Sequence, residues 1–257
     1  MKKILTTLVC GAILAITASG DMGRFEIGAG SWMQTPNGGG YSEDTSGLLS
    51  LSGDYHSDKK DSNEIYVWML IEHSIPIVPN IRLEYVSVTD EGITDGAVAG
   101  YPIDEYATTI EMRQFDIIPY YNILDNTAWV TLDLGLDLKV IETKADILLD
   151  DGTLVTRAIH YTNTETDIVP LLYIRTRVEI PDTNIGFEAD VKYITNGDST
   201  VYDIRAKVDY TLDFVPVYQP GVEIGYRVQN FALEDADTNS KTDIDFAGVY
   251  AGLTVRF

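Results

Sequence analysis

From residue 128 to residue 140, apolar and polar side chains alternate without interruption. Ala128, Val130, Leu132, Leu134, Leu136, Leu138 and Val140 share one face, and Thr131, Asp133, Gly135, Asp137 and Lys139 share the other. A period of two is the signature of a β-strand with unlike faces. Strands of soluble sandwiches run about 5–6 residues, whereas a strand that crosses a bilayer needs about 9–11. The same alternation returns along the chain. Ile185, Phe187, Ala189, Val191 and Tyr193 oppose Gly186, Glu188, Asp190 and Lys192, and Tyr202, Ile204, Ala206, Val208 and Tyr210 oppose Asp203, Arg205, Lys207 and Asp209. Val222, Ile224, Tyr226 and Val228 oppose Glu223, Gly225, Arg227 and Gln229. Shorter runs set Ile174 and Val178 against Arg175, Arg177 and Glu179, and Ile81, Leu83 and Tyr85 against Arg82 and Glu84.

About ten strands are expected, at 24–35, 64–74, 79–90, 112–123, 127–141, 167–180, 184–195, 200–214, 220–230 and 243–257. No helical period intervenes, so the fold class is all-β. Long links (36–63, 91–111, 142–166, 231–242) alternate with short ones, the 195–199 link being the exception. Outer-membrane barrels sort their connections this way, with short periplasmic turns and longer outside loops. The expectation is a transmembrane antiparallel up-and-down β-barrel of about ten strands. Eight or twelve remain open, because residues 41–55 have room for a loop hairpin.

The chain starts Met1-Lys2-Lys3, continues apolar over 4–16, and then carries the small residues Ala18, Ser19 and Gly20. That order is expected of a secretory signal peptide over 1–20, leaving the barrel at 21–257 for export. The single cysteine, Cys10, falls inside it, so no disulfide or thiolate metal site is expected afterwards. No later apolar run reaches about 18 residues, so membrane insertion has to use strands. The net charge of −22 excludes nucleic-acid binding by phosphate neutralisation. Hydrophobic residues at 45% exclude an acidic disordered chain. The acidity is concentrated in the outward links taken as 36–63, 90–111, 142–167, 195–199 and 230–243, which carry 22 acidic and 5 basic residues.

The final strand has Val249, Ala251, Leu253, Val255 and Phe257 on one face, and Tyr250, Gly252, Thr254 and Arg256 on the other. This ending resembles the C-terminal signature of bacterial outer-membrane barrels. With the leader and the strand pattern, the chain resembles the small proteobacterial outer-membrane β-barrel families, whose members mostly lack an assigned activity. The resemblance implies a location in the outer membrane of a Gram-negative bacterium. It also implies insertion by the barrel-assembly machinery, for which Val249, Ala251, Leu253, Val255 and Phe257 would be the assembly signal. Outer-membrane lipids and lipopolysaccharide are the implied partners.

Parity sends one charged set into the barrel: Arg82, Glu84, Asp116, Asp133, Asp137, Lys139, Arg175, Arg177, Glu179, Glu188, Asp190, Lys192, Asp203, Arg205, Lys207, Asp209, Glu223, Arg227 and Arg256. Such a lumen is only slightly wider than a filled eight-stranded one. It is either a polar core that fixes register through cross-strand pairs or a narrow, charge-lined path. The leading functional expectation is a narrow porin-like channel for small polar or cationic solutes. The alternative is a non-conducting structural or surface-interaction barrel with acidic extracellular loops. Gly28, Gly30, Gly248 and Gly252 are expected to face inward at the seam between first and last strands, relieving crowding or opening space. Asp235, Asp237, Asn239, Ser240 and Asp243 have part of the spacing of a calcium loop, but lack its glycine and its bidentate glutamate. No cofactor is expected, and loop-bound divalent cations are the one ligand class left open. No catalytic set is expected. His56 and His160 fall in outward links and His73 at the periplasmic end, and a rim hydrolase would have to join His56 or His160 to a serine and a carboxylate across loops. Trp32, Trp129, Tyr120, Tyr121, Phe214 and Tyr218 are expected in the aromatic girdles at the two interfaces.

Overall fold

In the computed structural model, the described residues are 23–42, 51–75, 77–98, 104–127, 129–149, 159–197, 199–212, 218–235 and 240–257. They form eleven strand segments: β1 Phe25–Ser42, β2 Leu51–Ser57, β3 Ser62–Ile71, β4 Asn80–Val98, β5 Asp104–Thr127, β6 Val130–Leu149, β7 Ile159–Glu179, β8 Ile185–Asn196, β9 Ser199–Thr211, β10 Gln219–Asp235 and β11 Ser240–Arg256. Each runs antiparallel to its neighbours, and β11 pairs back onto β1 from Glu26↔Arg256 to Tyr41↔Lys241, which closes the sheet into a ring. Among the described residues closure leaves no free sheet edge apart from one gap opposite residues 87–91, so nearly every ladder group finds a partner without water. The expected leader over 1–20 lies outside the described residues.

The eleven segments occupy ten positions around the ring. Because β11 takes one whole edge of β1, both β2 and β3 must share the other. β2 pairs with Gly39–Ser42 of β1, and β3 with Phe25–Gln34. On the opposite side β2 pairs with Gly92–Val98 of β4, and β3 with Ile81–Val86. They are one strand position interrupted at 58–61, which leaves residues 87–91 of β4 without a ladder partner there. Lys59 takes a left-handed φ of 56° in the interruption, and Gly38, facing it on β1, has φ of 123°. Residues 51–57, expected within a loop, are therefore part of the wall.

Several expected links are strand as well. β4 continues to Val98 and β5 starts at Asp104, while β6 continues to Leu149 and β7 starts at Ile159. The expected turn at 124–126 is displaced: β5 runs on irregularly to Thr127, and Trp129 turns the chain with φ of 66°. β4 to β7 span 19–24 residues, against 12 and 13 for β8 and β9. The ring is thus tall on one side and low on the other. Below, the end holding Phe25 and Arg256 is the terminal end, and the opposite one is the distal end.

Near the terminal end the outward face is apolar and wide: Ile81, Tyr85, Ile117, Leu134, Leu136, Ile174, Phe187, Val208, Ile224, Tyr226, Val249 and Leu253 are all exposed. The inward face of the same stretches is charged. Near the distal end the two faces exchange character. There Val86, Val88, Ile110, Met112, Ile141, Ile147, Leu171, Val201, Phe231, Ile244 and Phe246 are buried inside, while Glu91, Glu105, Thr109 and Arg113 are exposed outside.

Candidate functional site: a charged interior under an apolar cap

On β4 and on β6 to β10, the inward series changes from charged to apolar toward the distal end. Arg82 and Glu84 give way to Val86 and Val88, Lys139 to Ile141, Lys192 to Ile194, Asp203 to Val201, and Gln229 to Phe231. Alternation dictates which residues point inward, and closure of the ring brings them together.

Lys192 is the hub of the charged part. Its Nζ donates to Glu84 Oε2 at 2.6 Å and also to Asp116. Lys139 Nζ reaches Asp116 Oδ1 at 2.8 Å and Asp203 Oδ2 at 3.4 Å. Arg227 Nη2 lies 2.6 Å from Asp203, and Arg205 Nη2 bridges Glu84 at 2.6 Å and Asp190 at 2.9 Å. Nearer the terminal end, Arg175 joins Asp133 at 2.5 Å and Glu188 at 3.0 Å. Arg177 clasps Asp209 with two parallel bonds of 2.7 and 2.8 Å. Lys207 Nζ donates to Glu223 at 2.9 Å, and the other oxygen of that carboxylate accepts from Tyr66 Oη at 2.7 Å and Trp68 Nε1 at 3.0 Å. The Trp68 ring also has Arg82 at 4.8 Å and Lys207 at 4.5 Å from its centroid. At the mouth Glu26 binds both Arg24, at 2.6 Å, and Arg256.

Of the nineteen charged residues expected to face the interior, all but Glu179 and Arg256 are buried. Asp137 is the odd member: neither of its carboxylate oxygens has a hydrogen-bond partner, and Lys192 Nζ lies 3.9 Å away. Removing one partner from a buried pair costs about 3–5 kcal/mol, because the other charge is stranded. The network is therefore a rigid filling whose members hold one another in place.

The seam glycines serve this filling. A Cβ on Gly28 would stand 2.4 Å from the Trp68 indole nitrogen, and one on Gly252 would stand 2.3 Å from the Tyr66 hydroxyl. Space is opened at the seam, and these two aromatic side chains occupy it. Trp32 and Tyr120 correct an expectation. Both are buried inside the ring, because they share parity with Gly28 and Asp116. Tyr121, Trp129 and Tyr218 are exposed, and Phe214 lies outside the described residues.

The remaining candidates are dispersed. Asp237 and Asn239 of the acidic run lie outside the described residues. Asp235 pairs in register with Ser240, while Asp243 lies opposite Ala232 and accepts a bond from Asn230 Nδ2 at 3.0 Å. Among the described residues no group of three or more His, Cys, Asp or Glu gathers as metal ligands. His56 is exposed on the outward face of β2, so alternation places it across the sheet from Ser57. His73 sits at the terminal end, with its backbone N–H donating to Asn80 Oδ1. His160 pairs with Leu148 between β7 and β6. On β11, Val249, Leu253 and Phe257 are exposed outward, and the Phe257 ring packs 5.6 Å from Phe25. The strand pattern did not single out Glu26, Tyr66, Trp68 or Gln114. The 62–71 segment is apolar on both faces, so its period is blurred, although Glu64 and Asn63 mark the parity.

No protein-family model matches the chain, and no curated protein matches it. Several solved structures are similar at low identity. The outer membrane protease OmpT from Escherichia coli is 9% identical, with 91% of this chain and 96% of that one covered and a TM-score of 0.48. The translocator domain of the autotransporter NalP from Neisseria meningitidis is 10% identical, with 100% and 96% covered and a TM-score of 0.43. Neisserial surface protein A is 11% identical, with 91% and 97% covered and a TM-score of 0.34.

Proposed function

We propose that this chain is an integral barrel of a Gram-negative outer membrane that stands closed, and that it acts as a scaffold presenting its acidic distal segments rather than as an open pore. The apolar belt around the terminal half and the closed ladder support the membrane location. In this reading 1–20 directs export, the last strand is read by the barrel-assembly machinery, and the distal end faces outward with its long, acidic connections. Lipopolysaccharide and its bridging cations are then the adjacent surface. The single observation that carries the closed state is the doubly filled interior. Charged residues from Asp116 to Arg227 are paired and buried in one half, and an apolar cap fills the other. A solute path would require both fillings to part together.

Planar-bilayer recording of the purified, refolded protein tests this. The expected trace is silent at moderate voltage. Steady unitary conductance from the unmodified protein would return the narrow cation-favouring channel to first place.

A further inference from the structure

The interruption between β2 and β3 does more than bend a strand. On the edge of β4 facing the gap, residues 87–91 have no ladder partner; the Asp58 N–H reaches the Glu91 carbonyl at 2.9 Å, and side chains take over the backbone of Thr89. Glu64 Oε1 accepts the Thr89 N–H at 2.9 Å, and Gln34 Nε2 donates to the Thr89 carbonyl at 3.0 Å. Asp90, the next residue, points inward and is fully buried. Its Oδ1 accepts from Ser57 Oγ at 2.7 Å, and its Oδ2 has no hydrogen-bond partner. Two more buried oxygens lie here, on side chains 0% and 1% exposed: Gln34 Oε1, which is unpartnered, and the Tyr55 hydroxyl, which turns toward Asp90. Burial pushes the Asp90 carboxyl above the ordinary range, hydrogen bonds with Ser57 and Tyr55 oppose the rise, and the nearby charges of Asp58 and Glu91, both acidic, add to it.

This differs from most of the charged interior, where Asp137, with its nearest lysine at 3.9 Å, is the exception. Glu26, Glu84, Asp116, Asp133, Glu188, Asp190, Asp203, Asp209 and Glu223 all have a lysine or arginine within 3.5 Å. Glu64 and Asp90 have hydroxyl, amide and backbone groups instead. A buried carboxylate with no counter-charge is costly. Oxygen donors alone, two of them carboxylates, suit a hard divalent ion that takes six to eight oxygens and tolerates irregular geometry.

We propose that Glu64 and Asp90, with Gln34, Tyr55 and Ser57, form a calcium-class divalent cation site that fastens the interrupted strand to β1 and β4. The site is separate from the acidic run at 235–243, and it does not depend on whether the interior conducts.

The test uses full-length folded protein in detergent, freed of metal by chelation and titrated with CaCl2 by calorimetry. A parallel digestion uses trypsin, because the exposed Lys59 and Lys60 lie within the interruption. One-site binding is expected, with affinity in the range of extracellular calcium modules, about 10⁻⁴–10⁻³ M. Calcium should slow cleavage at 59–60 several-fold, and magnesium at equal concentration should do so less, because it is reluctant to shed water. Asp90→Asn and Glu64→Gln, checked for folding by heat-shifted gel mobility, should each weaken binding at least tenfold. No calcium binding by the unmodified protein overturns the proposal. So does binding unchanged in both variants, which would assign the ion to the distal connections. If neither variant folds, the decision falls to the unmodified protein: cleavage at 59–60 indifferent to calcium rejects the site.

Discussion

The two halves of this barrel obey opposite rules. In the terminal half, Leu134, Leu136 and Leu138 face out while Asp133, Asp137 and Lys139 face in. In the distal half of the same strand, Ile141, Ala145 and Ile147 face in while Glu142, Lys144 and Asp146 face out. The alternation never breaks, and only its sense reverses. On the proposed membrane reading, one strand thus serves two solvents. Where lipid surrounds the wall, polar groups can be satisfied only inside, so they pair with one another. Where water surrounds it, the interior can be an ordinary apolar core. Fixing each half is also a different problem. Ion pairs hold the charged half through geometry, and close packing with a few buried hydrogen bonds holds the apolar half.

The hub of the charged half offers the sharpest way to break this comparison. Lys192→Met leaves Glu84 and Asp116 short of a counter-charge, and a loss of about 3–5 kcal/mol is expected in urea unfolding from lipid vesicles. A loss below about 1 kcal/mol would mean that water reaches these carboxylates and that the filling is loose. The outward face gives a second comparison between the halves. Leu136→Arg should cost about 2–4 kcal/mol, as a charge facing the middle of the bilayer does, whereas Thr109→Arg, exposed on β5 near the distal end, should stay within about 0.5 kcal/mol. Equal costs would place both positions in one solvent and erase the boundary.

The smallest expected effect concerns pH. Asp90 lies above the apolar belt, and burial raises its carboxyl above the ordinary aspartate range. In that window the folded state holds a proton that the unfolded state has released. In chelator, stability should therefore fall as pH rises from about 4 toward the raised folded value. Asp90→Asn should flatten that part of the profile. A difference between the unmodified and Asp90→Asn profiles that rises over the same interval would show that Asp90 is paired with a cationic group after all.

The barrel was legible because membrane strands advertise themselves twice, in length and in alternation. Residues 128–140 alone nearly sufficed. The distal half was harder to read for a physical reason. Its outward positions, such as Thr109, Glu111 and Glu105, are polar like loop residues, and its inward apolar partners Tyr106, Ile110 and Met112 are spaced among threonines. The alternation continues there, but its sense is the reverse of the clean strands, so 91–111 resembled a link. Trp32 and Tyr120 were assigned by their nearness to strand ends, although parity with Glu26 and Asp116 places them inside. The charged interior could be enumerated from parity, but its pairings could not, since Arg205 and Glu84 meet only through closure across 121 positions. Glu64, Gln34 and Asp90 gather because a strand is interrupted, and nothing in their spacing announces that.

The reversal of faces also works as a depth gauge. β4 and β6 to β10 each carry a waterline, level with Glu84 and Val86 on β4, with Lys139 and Ile141 on β6, and with Asp203 and Val201 on β9. Sinking or lifting the whole ring past that level would wet outward apolar groups or drown outward polar ones on these strands at once. Immersion is therefore marked around most of the circumference, and a bilayer of the wrong thickness must deform to meet it.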